Sequence, residues 1–167
     1  EHQLPLVALE SNVLTHGLPY PNNLTLVEDM EDEIRRQDVT PATIAVLDGE
    51  VWIGLNPAQF NRLVHKTPDI LKISGRDFGK AISNAATGGT TVAGTMLAAY
   101  QCGIRVFATG GIGGVHHSMS RRRSYTFDIS ADLPALAHIP MVVVCAGAKA
   151  ILNLPATVEY LETWSVP

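Results

Sequence analysis

Short apolar runs of strand length, Leu6–Leu9, Thr43–Leu47, Ile70–Ser74, Ile104–Ala108 and Met141–Cys145, alternate along the chain with segments of helical spacing. This alternation constrains the fold more than any single motif, because a sheet built from such strands needs helices to cover it. The implied class is α/β, with a mixed or mostly parallel sheet covered by helices. No internal repeat, linker or low-complexity segment interrupts the pattern, so residues 1–167 are expected to form a single α/β domain. With 46% hydrophobic and 17% charged residues, the chain has enough apolar surface for a sizeable core, and disorder is excluded.

Local signals place the elements. His16–Asn23 carries Gly17, Pro19 and Pro21 and reads as a loop, after which Asn23 is a candidate cap for a helix to about Gln37. Asp48-Gly49 between apolar runs predicts a hairpin. Asn56 precedes Pro57 at the start of a short helix to about His65. A further short helix is expected over Asp77–Ser83. Gly88-Gly89-Thr90-Thr91 leads into a helix over Val92–Gln101, stopped by Gly103. Ser130–His138 is helical around Pro134, Met141–Cys145 is expected to be a buried strand, and Thr157–Thr163 is a last helix. The turn Trp164–Pro167 would normally deliver another strand, so the sheet is expected to lack strands at its carboxyl-terminal end.

A formal charge of −4 argues against a nucleic-acid partner. The densest basic run, Arg121–Arg123, reads as a solvated loop. Cys102 and Cys145 lie in apolar runs without metal-ligand spacing, which fits free thiols in a reducing, cytoplasmic setting. No apolar stretch is long enough to span a bilayer. Glu1-His2-Gln3 lacks the pattern of a signal peptide.

Ligands of open α/β sheets collect at the carboxyl ends of strands. Glu10, Thr109 and Lys149 each follow a predicted strand, and Lys72 lies within one. Lys149 is the lone cation in the run Val143–Leu152. An amine drawn out of water gives up its proton more readily and can then form a Schiff base with a carbonyl carbon. A lysine whose stem packs on the sheet while its head reaches water is the competing reading. Gly88–Thr91 and Gly110–Gly114 offer backbone N–H groups to an anion, or simply make tight turns. Asp128 and Asp132 either cap the following helix or place one carboxylate on a hard divalent cation. The adjacent His116 and His117 diverge too strongly for a metal clamp, but one of them can reach a phosphate.

The strings Ala8-Leu9-Glu10-Ser11, His16-Gly17-Leu18-Pro19-Tyr20-Pro21, Pro41-Ala42-Thr43-Ile44-Ala45 and Thr90-Thr91-Val92-Ala93 open a longer resemblance. It continues through Phe107–His116, Thr126–Leu133, Val144–Lys149 and Glu159–Thr163. In order and over nearly the whole chain, these segments resemble the pseudouridine-5'-phosphate glycosidase family. The chain departs from the family at His117-Ser118, where Arg-Gly is usual, and at Ala150 and Asn153, where Ser and Asp are usual. The family also continues well past the position of Pro167.

The resemblance implies reversible C–C cleavage of pseudouridine 5'-phosphate to uracil and ribose 5-phosphate. Lys149 matches the nucleophile that holds ring-opened ribose as a Schiff base, and Glu10 matches the general acid. Lys72, Val92, Thr109, His116, Ser130, Ala131 and Asp132 match substrate contacts. Asp128 matches the ligand of a Mn²⁺ cofactor. A cytoplasmic homo-oligomer, a trimer, is implied as well. Two other readings are a Schiff-base aldolase acting on a sugar phosphate through Lys149, and a non-catalytic sugar-phosphate-binding remnant.

Overall fold

The computed structural model describes residues 5–65, 69–117 and 127–167. The basic run Arg121–Arg123, Ser118 and Thr126 lie outside the described residues. Strands β1 (Leu6–Glu10), β2 (Thr40–Leu47), β3 (Glu50–Ile53), β4 (Leu71–Ile73), β5 (Gly88–Thr90), β6 (Val106–Ala108) and β7 (Val142–Val144) form one seven-stranded sheet. The order is β4-β5-β2-β1-β6-β7, with β3 paired to β2 outside that path. The pairs β1–β2, β1–β6, β6–β7 and β4–β5 are parallel, and β2 pairs antiparallel with both β3 and β5. The sheet is therefore mixed and mostly parallel, as the alternation of runs implies.

Helices cover both faces. On one face, α4 (Val92–Gln101), α5 (Asp132–His138) and α6 (Leu154–Thr163) enclose a core containing Ala8, Ile44, Met96, Phe107 and Leu133. On the other, α1 (Asn22–Arg35) and α2 (Pro57–Val64) pack Val27, Leu63 and Val64 against Leu14, Ala45 and Leu47. A short α3 (Phe78–Ser83) packs beside β2 and β4 around Val46, Ile73 and Ala81.

Several local signals act as expected. Asp48 (φ 52°) and Gly49 (φ 80°) both take the left-handed conformation of a tight hairpin turn. Asn56 and Gln59 form a reciprocal capping box at α2. Asn153 caps α6 by accepting the Ala156 N–H, and that helix begins three residues earlier than expected, at Leu154.

Three expectations change. Val13–Gly17 is a single π-helical turn that runs into the start of the segment read as a loop, His16–Asn23. Asn23 does not cap α1. It is fully buried, and its Nδ2 donates to the carbonyls of Leu14 and Val64, tying the π-turn to α2. Met141–Cys145 contributes an edge strand rather than a buried one, with Val142 61% and Val144 58% exposed. A continuous apolar run is equally compatible with either position, so periodicity alone could not separate them.

The segment Gly88–Thr90 is a strand, not an anion-binding loop. Both glycines permit close approach of neighbouring backbone. A methyl group on Gly89 would fall on Thr15 Oγ1 and 2.8 Å from the Ser11 carbonyl oxygen. Gly89→Ala is expected to destabilise the fold by about 1–3 kcal/mol through overpacking. Urea denaturation checks this, and an unchanged midpoint would show that the β1–β5 junction yields freely.

Candidate active site

The carboxyl ends of β1 and β6, the loop after β7 and the strand β4 converge on two clefts that share a floor. The larger, of about 1010 Å³, runs from Lys149 over the π-turn to Leu26 and Met30 of α1. The smaller, of about 500 Å³, runs from Lys149 to the start of α4 and to Asp128–Asp132. Glu10, Asn12, Lys72 and Lys149 line both. The parallel pairing β1–β6–β7 produces this convergence, because it brings the ends of all three strands to one side of the sheet.

Glu10 is the last residue of β1, and its Oε1 accepts a 2.6 Å hydrogen bond from Thr109 Oγ1. Thr109 is buried just after β6, where its N–H donates to the Val144 carbonyl of β7. Its hydroxyl thus serves Glu10 rather than standing open for a phosphate. Burial pushes the Glu10 carboxyl above its usual value of 4.5. The Thr109 hydrogen bond and Lys149 oppose that shift, Asp132 adds to it, and Lys72 opposes it. A carboxyl that holds its proton more strongly is suited to acid catalysis.

Lys149 is exposed, which differs from the burial its apolar neighbours suggest. The reason is the edge position of β7: Val144 and Ile151 around it are exposed too, at 58% and 80%. Its backbone is nevertheless fixed. The Lys149 N–H donates to Ile112 and its carbonyl accepts from Leu152, beside a parallel bridge between Ile112 and Ala148. The side chain therefore leaves a held turn into the floor common to both clefts.

Asp132 is buried and reaches across the fold. Its Oδ1 accepts from the Ala93 N–H in the first turn of α4, and its Oδ2 accepts from the Gly113 N–H at 2.8 Å. The helix start that might have received an anion already holds this carboxylate. Gly113 is required because a Cβ there would meet the Ser130 side chain and lie 2.8 Å from Asp132 Oδ2. Neither Asp128 nor Asp132 caps α5, whose N-cap is Ala131 with no side-chain bond.

Val92, His116, Asp128, Ser130 and Ala131 all line the smaller cleft with Asp132 and Lys72. His116 Nδ1 lies 3.4 Å from Asp128 Oδ1, and the His116 N–H donates to the Asp128 carbonyl. Among the described residues, no three His, Cys, Asp or Glu side chains group closely enough to cage a metal. An exposed single carboxylate such as Asp128 fits a hard cation that keeps most of its waters. Sequence reasoning missed Asn12 and Arg76, which line the same cleft. Asn12 follows Glu10-Ser11 directly and Arg76 lies four residues beyond Lys72, but neither has a motif of its own.

The raised Glu10 value has a stability consequence. The folded protein holds this proton more tightly than the unfolded chain, so stability falls as pH rises from the unfolded value through the folded one. Glu10→Gln is expected to raise the melting temperature at about pH 8, with the gain vanishing below about pH 4. Thermal melts of both proteins across that range check it, and identical curves would remove burial as the cause.

The family model described as indigoidine synthase A like protein matches residues 1–167. A pseudouridine-5'-phosphate glycosidase of Roseiflexus sp. (strain RS-1) is 52% identical over 165 residues, covering 98% of this chain and 52% of its own. One from Mycoplasmopsis agalactiae is 51% identical over 166 residues, covering 99% of this chain and 54% of its own. The crystal structure of an indigoidine synthase A-like protein from Thermotoga maritima superposes with TM-score 0.89 at 29% identity, covering 98% of this chain and 53% of that one. The prealnumycin C-glycosynthase AlnA, solved with ribulose 5-phosphate, superposes with TM-score 0.85 at 42% identity, covering 98% and 51%. The chain spans about half the length of the curated relatives it matches. By sequence along its whole length and by fold, the chain belongs to the indigoidine synthase A-like family, together with relatives named pseudouridine-5'-phosphate glycosidases.

Proposed function

We propose that this chain carries the catalytic site of a pseudouridine-5'-phosphate glycosidase. The reaction is reversible cleavage of the C–C glycosidic bond, with water, to uracil and ribose 5-phosphate. The observation that carries this reading is a desolvated carboxyl, Glu10, sharing one cleft floor with Lys149. The names of relatives about half identical to the chain support it, as does the sugar phosphate bound to a related C-glycosynthase.

A C-glycosidic bond resists direct acid cleavage, because carbon is a poor leaving atom. Opening the sugar ring first removes the difficulty. The Lys149 amine bonds to C1', the C1'–O4' bond breaks, and O4' takes the Glu10 proton. Glu10 then recovers a proton from the new C–N ammonium. The nitrogen lone pair next forms C1'=N while the C1'–C5 pair returns to uracil C5, which Glu10 protonates. Water adds to C1', and collapse of the adduct frees ribose 5-phosphate and Lys149. Thr109 orients the Glu10 carboxyl through its 2.6 Å hydrogen bond.

Lys72, His116 and Ser130–Ala131 hold the sugar phosphate in the smaller cleft, with Val92 as an apolar wall. Asp132 acts there chiefly by fixing Gly113 and the start of α4. Asp128 would hold a Mn²⁺ ion through its single exposed carboxylate, and such an ion would supply positive charge to offset that of a sugar phosphate. The protein is a cytoplasmic homo-trimer in this reading. Its two free cysteines suit a reducing compartment, and no described helix is long and apolar enough to cross a membrane.

Incubating the protein with uracil, ribose 5-phosphate and Mn²⁺ should yield pseudouridine 5'-phosphate by chromatography. Lys149→Ala should abolish both product and borohydride-trapped sugar adduct, and Glu10→Gln should slow turnover by about 100-fold or more. A trapped adduct without nucleotide product would favour an aldolase, and ligand binding with neither outcome would favour a non-catalytic remnant. Asp128→Ala should weaken Mn²⁺ binding measured by calorimetry, and unchanged binding would place the ion elsewhere.

A further inference from the structure

We infer that Asn12 is a substrate-reading residue whose side-chain carbonyl accepts a hydrogen bond from a hydroxyl of the ring-opened sugar. This rests on the glycosidase reading and extends it to a residue outside the Glu10–Lys149 pair. Among the described residues, Asn12 Oδ1 is buried with no hydrogen-bond partner. It stands at the head of the π-turn, two residues beyond Glu10, and lines both clefts where they meet beside Lys72 and Lys149.

A buried acceptor without a donor is unfavourable, and folds rarely keep one unless something else supplies the donor. The surroundings specify that donor's chemistry. Glu10 is already bonded to Thr109, and its carboxyl is needed for the ring oxygen. Ser11 Oγ is fully committed, donating to the Ile44 carbonyl and accepting from the Thr90 N–H. Thr15 Oγ1 is shared between the Ser11 carbonyl and His16 Nδ1. What remains is a small polar donor entering with the ligand into the clefts that Asn12 and Lys149 both line. A polyhydroxy sugar phosphate offers such donors, and the flat pyrimidine can lie along the apolar wall of Val13, Leu26 and Met30.

The test compares the ligand-free protein with its ribose 5-phosphate and inorganic phosphate complexes by thermal shift, in wild type, Asn12→Ala and Asn12→Asp. Asn12→Ala should leave the ligand-free melting temperature unchanged or higher, since it removes an unpaired acceptor. It should weaken ribose 5-phosphate by about tenfold, while phosphate alone binds as before. Asn12→Asp keeps an acceptor and should retain the sugar phosphate. A lower melting temperature of ligand-free Asn12→Ala would show that the amide has a structural partner and overturn the inference. So would equal affinity for ribose 5-phosphate in wild type and Asn12→Ala, or an equal loss for inorganic phosphate. Loss in Asn12→Asp matching that in Asn12→Ala would make the amide N–H the contact and overturn the acceptor role. Wild type that binds no ribose 5-phosphate would overturn the glycosidase reading itself, and this inference with it.

Discussion

The hydroxyl of Ser11 is the fastening on which the site depends. It lies fully buried at the point where β1 ends, donates at 2.6 Å to the Ile44 carbonyl of β2, and accepts at 2.9 Å from the Thr90 N–H of β5. Thr90 continues the network, donating to the same carbonyl and pairing with Thr95 inside α4. One short side chain thus locks two strands and, through Thr90, a helix around the end of β1. Its neighbours in sequence, Glu10 and Asn12, are thereby held on the cleft floor with little freedom. Buried polar networks that are fully satisfied confer this kind of rigidity.

Two carboxylates in the same cleft system meet opposite environments and take opposite tasks. Asp132 has each oxygen matched to a backbone N–H, one at a helix start and one in a glycine loop. It behaves as a bracket for the fold. Glu10 has a single hydroxyl donor and is otherwise desolvated, so it gives up its proton less readily than a free carboxyl. The two groups also act on each other, since the Asp132 charge raises the Glu10 value further. The raised Glu10 value is therefore supported by a residue whose own hydrogen bonds go to the backbone of the fold.

Much of the architecture was legible because its signals are local. Asp48-Gly49, the Asn56 cap and the bounds of α4 each rest on a few adjacent residues with one favoured geometry. The features that escaped are long-range. Asn23 bonds backbone across 41 residues to Val64, and Asp132 reaches Ala93 across 39. Gly88-Gly89 is punctuation when read alone, and becomes a strand only because β4 and β2 pair with it on either side. The residues singled out in the sequence line two adjoining clefts, but the exposure of Lys149 depends on strand order, which local pattern does not encode.

That strand order has a bearing on the amine. The turn presenting Lys149 hangs from β7, whose outer flank has no strand beside it among the described residues. Such a rim readily accepts another extended backbone, and doing so stiffens the strand that accepts it. Any strand paired there would steady the turn that carries Lys149 from behind. The firmness of the Lys149 turn and the pairing of this rim are thus mechanically joined through three residues of backbone.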